Sequence, residues 1–389
     1  MSVGQTEPGE SHDSPPDKVE ISAAAEDSLR LLSVCETAQG GVGRYQENIL
    51  ALDRRGIDPW VLLPDRDWAI LGDHTQVNTF RRRGRGPRSL LALIGGFLAE
   101  RRRLSPDIYL FNSTFSLLPL LLLRALGDRS PAIYCSHCWA VATQEKLGWK
   151  SRLIEAVEGR LCGLADLIVN VSQADADTAV RRGYRGRHIV VENAVSGADA
   201  GGQKEMFRGP DETGIHLLFV GRFDRQKGLD ILLPAFARAR AARPDLHLHL
   251  VGGAVRGSPA PDLPEGVTNH GWVSPDQIDS YYRSADALIV PSRWEGMPLV
   301  VLEALRNGTP VLLSRGCRMD DLLAETGCGK AFDLNEETVV NLLTDLAPKS
   351  LQDMRKKALE AYDAHFTLDR FTAEFAEHVM ALAEGRPRA

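Results

Sequence analysis

The chain has no apolar run long enough to cross a bilayer. Its longest, Leu90 to Ala99 and Leu117 to Leu123, fall well short of the roughly 20 residues that a spanning helix needs. Cysteine is scarce, six in 389 residues, which excludes a small scaffold held by disulfides. Gly 35 and Pro 21 are close to ordinary usage, which excludes collagen-like and low-complexity chains. Positive charge is not in excess either. With 46 Lys and Arg against 52 Asp and Glu the chain carries −6, so no nucleic-acid partner is expected. The first residues contain no basic segment followed by an apolar core, so no signal peptide is expected, and the cysteines of a cytoplasmic chain are expected reduced.

What is present is an ordinary globular composition, 43% hydrophobic and 25% charged, in a length that corresponds to two or three domains. The negative charge is local. Glu7, Glu10, Asp13, Asp17, Glu20, Glu26 and Asp27 stand against Lys18 alone, and this accounts for the whole net charge. Residues 1–28 are polar and without periodicity, and read as a disordered acidic tail. Of the remainder, Arg30 to Ala200 holds 23 basic and 18 acidic residues, while the C-terminal half is acidic by the same margin.

From Leu29 onward short apolar runs alternate with amphipathic segments. Leu29 to Cys35, Trp60 to Leu63, Ile108 to Phe111, Ala132 to Cys135 and Leu167 to Val171 read as buried strands with helices between them. The pattern pauses between about Val195 and Gly214, among Gly201, Gly202, Gly209 and Pro210, and this marks a boundary. It resumes at Ile215 to Val220, Leu246 to Val251, Ala287 to Val290 and Pro310 to Leu313. The expected architecture is α/β, with two Rossmann-like parallel-sheet domains facing an interdomain cleft. The first domain covers 29–200, a linker 201–214, and the second domain 215–365. Residues 366–389 form a C-terminal helix that returns to the first domain, and Leu351 to Ala383 reads as helical throughout.

Three motifs follow strands. Gly40-Gly41-Val42-Gly43 leads into a helix, where glycines let the backbone approach an anion at the helix N-terminus; a purely structural turn is the alternative. Gly221-Arg222-Phe223-Asp224-Arg225-Gln226-Lys227-Gly228 puts two cations on one strand-to-helix loop, a clamp for a diphosphate or a solvated surface loop. In Pro291-Ser292-Arg293-Trp294-Glu295-Gly296-Met297-Pro298, followed by a helix reaching Glu303, two carboxylates sit at different heights and suit a ligand with two polyol portions; surface ion pairing is the plain alternative for either.

The spacing of Glu295 and Glu303, the Gly221 to Gly228 loop and the turn at 40–43 occur in the order and domain positions seen in retaining glycosyltransferases of family 4. The chain resembles that family from about Leu29 to Ala383, which implies the GT-B fold. By that resemblance Arg222 and Lys227 neutralise the donor diphosphate, Glu303 holds the ribose hydroxyls, and Glu295 faces the transferred sugar. Gly41, Gly221, Gly296, Met297 and Leu299 bring their backbones to the donor, and His137 stands beside the sugar. Two departures are visible: His137-Cys138-Trp139 where the family has His-Asp, and Asn193-Ala194-Val195 where Asn-Gly-Val-Asp is usual.

Two tempting patterns are set aside. Cys135-Ser136-His137-Cys138 has metal-ligand spacing without a second pair, and Asp175-Ala176-Asp177 reads as helix N-terminal charge, so no metal and no cofactor are expected. A basic patch remains: Arg81, Arg82, Arg83, Arg85, Arg88, Arg101, Arg102 and Arg103, against Glu100 alone, flank Leu90 to Ala99. Arg81 to Arg103 is read as contact with an anionic membrane at the inner face of the cell, or as a solvated face over a buried helix. Members of the family often act on lipid-linked acceptors. The expected activity is transfer of a sugar from a nucleotide diphosphate donor to a saccharide or lipid-linked acceptor. A nucleotide-sugar epimerase of the same fold and a non-catalytic nucleotide-sugar-binding protein are the alternatives.

Overall fold

The structure, a computed structural model, describes residues 28–72, 74–82, 84, 86–143, 149–198, 204–208, 214–254 and 261–385. The expected acidic tail and most of the expected linker lie outside the described residues.

The first domain runs β1 (Leu29–Cys35), α1 (Gly41–Leu50), β2 (Ile57–Pro64), β3 (Val77–Phe80), α2 (Pro87–Leu104), β4 (Ile108–Asn112), α3 (Leu117–Ala125), β5 (Ala132–Cys135), α4 (Trp149–Leu161), β6 (Leu167–Asn170), α5 (Gln173–Arg181) and β7 (His188–Val190). The second runs β8 (Ile215–Val220), α6 (Leu229–Ala242), β9 (Leu246–Val251), β10 (Val267–Asn269), α7 (Ile278–Ser284), β11 (Ala287–Val290), α8 (Leu299–Arg306), β12 (Val311–Ser314), α9 (Asp320–Thr326), β13 (Gly329–Phe332) and α10 (Glu336–Thr344). Two long helices follow, α11 (Pro348–His365) and α12 (Leu368–Glu384).

The sheets are ordered β3-β2-β1-β4-β5-β6-β7 and β10-β9-β8-β11-β12-β13. Every pairing among the described strands is parallel. The central strands are covered by helices on both faces, which is why they read as unbroken apolar runs. In each sheet the order reverses beside its first strand, between β1 and β4 and between β8 and β11. Open α/β sheets bind ligands outside the carboxyl ends of their strands at such a reversal.

One apolar cluster joins the domains. It includes Leu31 and Ile133 of the first, Leu218 and Leu288 of the second, and Phe366, Phe371 and Phe375 near and within α12. The helical stretch expected from Leu351 to Ala383 is broken at Phe366 and Thr367. Phe366 is buried, and the Thr367 hydroxyl accepts from the Arg370 amide as the cap of α12. The new direction lays α12 on the first domain, where the Phe371 ring meets Tyr45 at 5.5 Å and Arg55 pairs with Asp369.

Of the two readings of the basic patch, membrane contact and a solvated face over a buried helix, the packing of α2 fits the second. Leu93, Phe97 and Leu104 of α2 face the first domain's core. Arg82 is buried on Glu36, Arg101 pairs with Asp128 at 2.7 Å, and Arg103 pairs with Glu100 and lies over the Trp60 ring. Arg81, Arg88, Leu91 and Arg102 remain exposed, and Arg83 and Arg85 lie outside the described residues. Among the described residues no helix is long and apolar enough to cross a membrane.

Candidate active site in the interdomain cleft

Each expected motif sits at the carboxyl end of a strand. After β1 the chain turns at Gly40, whose φ of +66° favours glycine, and enters α1. A Cβ on Gly43 would lie 2.3 Å from the Ala38 carbonyl oxygen, so only glycine fits there. Asp67, buried, fixes this loop by accepting from the Ala38 amide at 2.9 Å and from Gln39 Nε2 at 3.1 Å. After β8, Asp224 caps a single 3-10 turn by accepting from the Lys227 amide. After β11 the loop through Glu295 ends at Pro298, the cap of α8. The first amides of a helix have no acceptor within it, and those of α8 open at Leu299 and Val300.

These loops enclose a cavity of about 630 Å³ between the domains. All ten residues expected from the sequence line it: His137 and Gly41 from the first domain, and Gly221, Arg222, Lys227, Glu295, Gly296, Met297, Leu299 and Glu303 from the second. Two larger depressions, of about 760 and 920 Å³, lie elsewhere, on the outer side of α6 and beside α4. They bring together none of these groups.

Inside the cleft the charges are arranged in pairs. Lys227 Nζ meets Glu295 Oε1 at 2.6 Å, and Gln226 Nε2 lies 3.4 Å from the other oxygen of the same carboxylate. Arg222 Nε donates to Asp224 at 3.0 Å while much of its guanidinium stays exposed. Glu303 is different. It accepts from the Tyr282 hydroxyl at 2.7 Å, and its burial pushes its carboxyl above the ordinary range. Among the described residues no group of three His, Cys, Asp or Glu side chains is arranged to hold a metal ion.

His137 reaches the cavity, but its ring nitrogens point elsewhere. Asn112 Nδ2 donates to Ser33 Oγ at 2.9 Å and to Val34 O at 3.3 Å, which leaves Asn112 Oδ1 as acceptor for His137 Nε2 at 2.9 Å. The proton therefore sits on Nε2, and Nδ1 faces Cys135 Sγ at 3.7 Å. Burial lowers the imidazole pKa to about 3, so the ring is neutral. His137 thus lines the cleft with both ring nitrogens engaged, which removes it as an acid or base.

Several residues at the site were not expected from the sequence. Gln226 lies inside a recognised motif without a charge to mark it. Tyr282, Asp67 and Asn112 act through partners 21 to 79 positions away, and no local pattern signals them. Asp175 stands in the first turn of α5, as read, but is fully buried and paired at 2.5 Å with Arg318 of the other domain, which the sequence did not signal.

A model of the family described as Glycosyltransferase Family 4 matches residues 39–196, and one described as Glycosyl transferases group 1 matches residues 203–360. The chain belongs to glycosyltransferase family 4. An uncharacterized 41.2 kDa protein in the cps region of Klebsiella pneumoniae is 26% identical to this transferase over 86% of its chain and 94% of the relative's. A D-inositol 3-phosphate glycosyltransferase of Corynebacterium aurimucosum is 29% identical over 58% of the transferase, which spans 60% of that relative's length. Among solved structures, sucrose-phosphate synthase of Thermosynechococcus elongatus superposes with a TM-score of 0.78 at 19% identity over 92% of this chain and 100% of that one. Anabaena HepE in complex with UDP and glucose superposes at 0.72, 18% identity, over 91% and 100%. The transferase has the GT-B fold of these neighbours.

Proposed function

We propose that the transferase moves a sugar from a nucleoside diphosphate donor to a saccharide or lipid-linked acceptor, with retention of anomeric configuration and without a required metal. The product belongs to a surface polysaccharide or glycoconjugate. One observation carries this reading: two cations, Arg222 and Lys227, and two carboxylates, Glu295 and Glu303, line one cleft at the carboxyl ends of β8 and β11. A diphosphate gains charge as it leaves. Fixed cations and helix amides that meet this charge stabilise the transition state more than the bound donor. Arg222 and Lys227 supply the charge that a divalent cation supplies elsewhere, and the amides of Met297 and Leu299 add donors. Glu303, with one oxygen held by Tyr282, offers the other to a ribose hydroxyl, and Glu295 faces the sugar.

Among the described residues that line the cleft the carboxylates are held, Glu295 by Lys227 and Glu303 by Tyr282, and neither is assigned as a nucleophile. The acceptor oxygen then bonds to the anomeric carbon on the face from which the phosphate oxygen departs, and the acceptor proton passes to the leaving phosphate. His137 stands beside the sugar. Relatives named for D-inositol 3-phosphate and for lipopolysaccharide support an acceptor rich in hydroxyls.

A separate observation supports presentation of the acceptor at an anionic membrane. On α4 the apolar Leu153, Ile154 and Val157 are exposed, and Arg152 and Arg160 flank them. Arg182 and Arg185 line the adjoining groove.

The test of the catalytic reading is turnover of UDP- and GDP-sugars with and without acceptor, in chelator. Lys227→Ala and Arg222→Ala should each lower transfer by about 10² or more. Near-normal rates in both variants remove the clamp, and epimerised donor without transfer supports the epimerase instead.

A further inference from the structure

Arg318 ends the short turn after β12 with φ of +54°, a left-handed conformation that costs a residue bearing a Cβ. Such conformations persist where the surroundings over-determine them. The surroundings here belong to both domains. Nη2 meets Asp175 Oδ1 at 2.5 Å, and Nη1 lies 3.3 Å from the Ala174 carbonyl and 3.2 Å from Thr178 Oγ1, all on α5 of the first domain. The same guanidinium donates to the Glu295 carbonyl of its own domain, from Nη2 at 2.9 Å and from Nε at 3.3 Å.

Asp175 depends on this contact. It is fully buried, its Oδ2 has no hydrogen-bond partner, and burial raises its pKa against the opposing pull of Arg318. The other side-chain hydrogen bonds between described residues of the two domains gather at the crossover. They join Arg306 to Ser196, Tyr362 to Val195, Arg370 to Glu192, and Arg55 to α12. Arg318 alone among them also holds a loop of the cleft. The seam beside it is tight: a Cβ on Gly296 would lie 2.5 Å from the His137 carbonyl oxygen and 3.1 Å from Cys138 Cβ. His137 and Cys138 also have positive φ, +58° and +143°. Backbone strain on both sides of one interdomain contact marks a closed arrangement that the contact maintains.

We propose that Arg318 is a positioning residue, a latch whose pairing with Asp175 couples closure of the domains to the setting of the Glu295 to Met297 loop. With the latch made, the Glu295 carbonyl is fixed from one side by Arg318 while Lys227 fixes its carboxylate. With the latch open, the loop loses that anchor and Asp175 returns to water. Of the groups assigned to the nucleotide, Arg222 and Glu303 lie outside the latched loop, while Lys227 meets it through Glu295 and the Met297 amide belongs to it. Opening therefore lowers turnover more than it weakens bare nucleotide binding. A misplacement of about 1 Å in such a loop costs about 10² in rate. This inference rests on the transferase reading for its kinetic arm only.

The experiment compares wild type with Arg318→Ala, Arg318→Lys, Asp175→Asn and the Arg318→Ala, Asp175→Asn double variant. Arg318→Gly serves as a further variant that relieves the left-handed backbone. Calorimetry with UDP and GDP, kcat and KM for transfer, and small-angle X-ray scattering are the readouts. The latch predicts kcat lowered about 10-fold or more in Arg318→Ala, Arg318→Gly and Asp175→Asn, partial recovery in Arg318→Lys, and a smaller loss in nucleotide affinity than in kcat. It also predicts a double variant no worse than Arg318→Ala and a larger radius of gyration in each variant that breaks the pair. Normal kcat in Asp175→Asn, losses that multiply in the double variant, or unchanged scattering overturns it. If wild type shows no transfer at all, the transferase reading fails, and scattering alone still decides whether the pair holds the domains closed.

Discussion

Glu295 and Glu303 carry the same group eight positions apart, and their surroundings make them different acids. Lys227 neutralises the first, while the second is buried with a tyrosine hydroxyl on one oxygen. Glu303→Gln keeps an acceptor for Tyr282 but replaces the remaining acceptor by a donor. Binding of UDP or GDP should fall about 10-fold or more, the scale of one hydrogen bond to a charged group. Glu295→Gln should spare the bare nucleotide and weaken the nucleotide sugar, and calorimetry with both ligand classes separates them. Equal losses with bare nucleotide contradict this division. Burial also lowers His137 and His249 to about 3, and pushes His188 and His270 the same way. Between the unfolded value near 6.5 and the folded value the native chain binds fewer protons than the unfolded one. Stability therefore falls as pH falls through 6.5, by up to about 1.4 kcal/mol per unit for each such group. The raised carboxyls of Glu303 and Asp175 oppose this slope, so urea unfolding at pH 7, 6 and 5 compares wild type with His249→Gln, and equal slopes would show that this ring charges without penalty. The ten expected cleft residues were legible because each motif is a short stretch after a strand. The tautomer of His137 and the pairing of Asp175 were not, since Arg318 is 143 positions from its partner and Asn112 is 25 from His137.

The strands that the apolar runs announced are the central ones, and the four they missed, β3, β7, β10 and β13, are the edges of the two sheets. An edge strand has one open side and is short, so it needs no unbroken apolar run. His188–Val190 and Val267–Asn269 have no fully buried residue among them. Helix starts were better marked, because Gly228, Pro298 and Ser172 stand at caps whose chemistry is local. The break at Thr367 falls at the boundary expected between 365 and 366, but the cap itself was not legible, since a threonine cap within a helical period resembles any other polar residue. Glycines test the same distinction between local and tertiary control. Gly95, inside α2, has nothing within 4 Å of an added Cβ, so Gly95→Ala should raise stability by about 0.5–1 kcal/mol through helix propensity. Gly43→Ala, with the Ala38 carbonyl 2.3 Å away, should instead lose about 1–3 kcal/mol and displace the turn that faces the cleft. Thermal melts of the pair decide it: equal shifts would mean that the turn yields freely.

At the scale of the whole molecule the first half is basic and the second half acidic. The sequence drew attention to α2 because arginines cluster around it, yet three of the described ones are held in ion pairs, Arg82 buried, and Leu93, Phe97 and Leu104 of that helix are covered. Clustering in sequence does not reveal which face a helix turns outward. Three outward apolar residues stand together on α4, where Leu153 and Val157, one turn apart, are 55% and 43% exposed and Ile154 stands beside them. Arg152, Arg160, Arg182 and Arg185 surround this stripe. Arg182 is paired with Glu155 at 2.9 Å, so at about 1 kcal/mol each near an anionic surface the other three contribute about 3 kcal/mol at low salt. Partial burial of each apolar side chain in the headgroup region adds about 1 kcal/mol. With a Debye length of about 8 Å at physiological salt, such docking is reversible. The transferase should therefore sediment with vesicles containing phosphatidylglycerol, not with pure phosphatidylcholine, and should be released by salt. Leu153→Glu with Val157→Glu should abolish binding, whereas Gln at Arg81, Arg88 and Arg102 should leave most of it. The reverse outcome returns the membrane face to α2. If the unaltered chain ignores both kinds of vesicle, the stripe on α4 does not dock, and the acceptor reaches the cleft from solution.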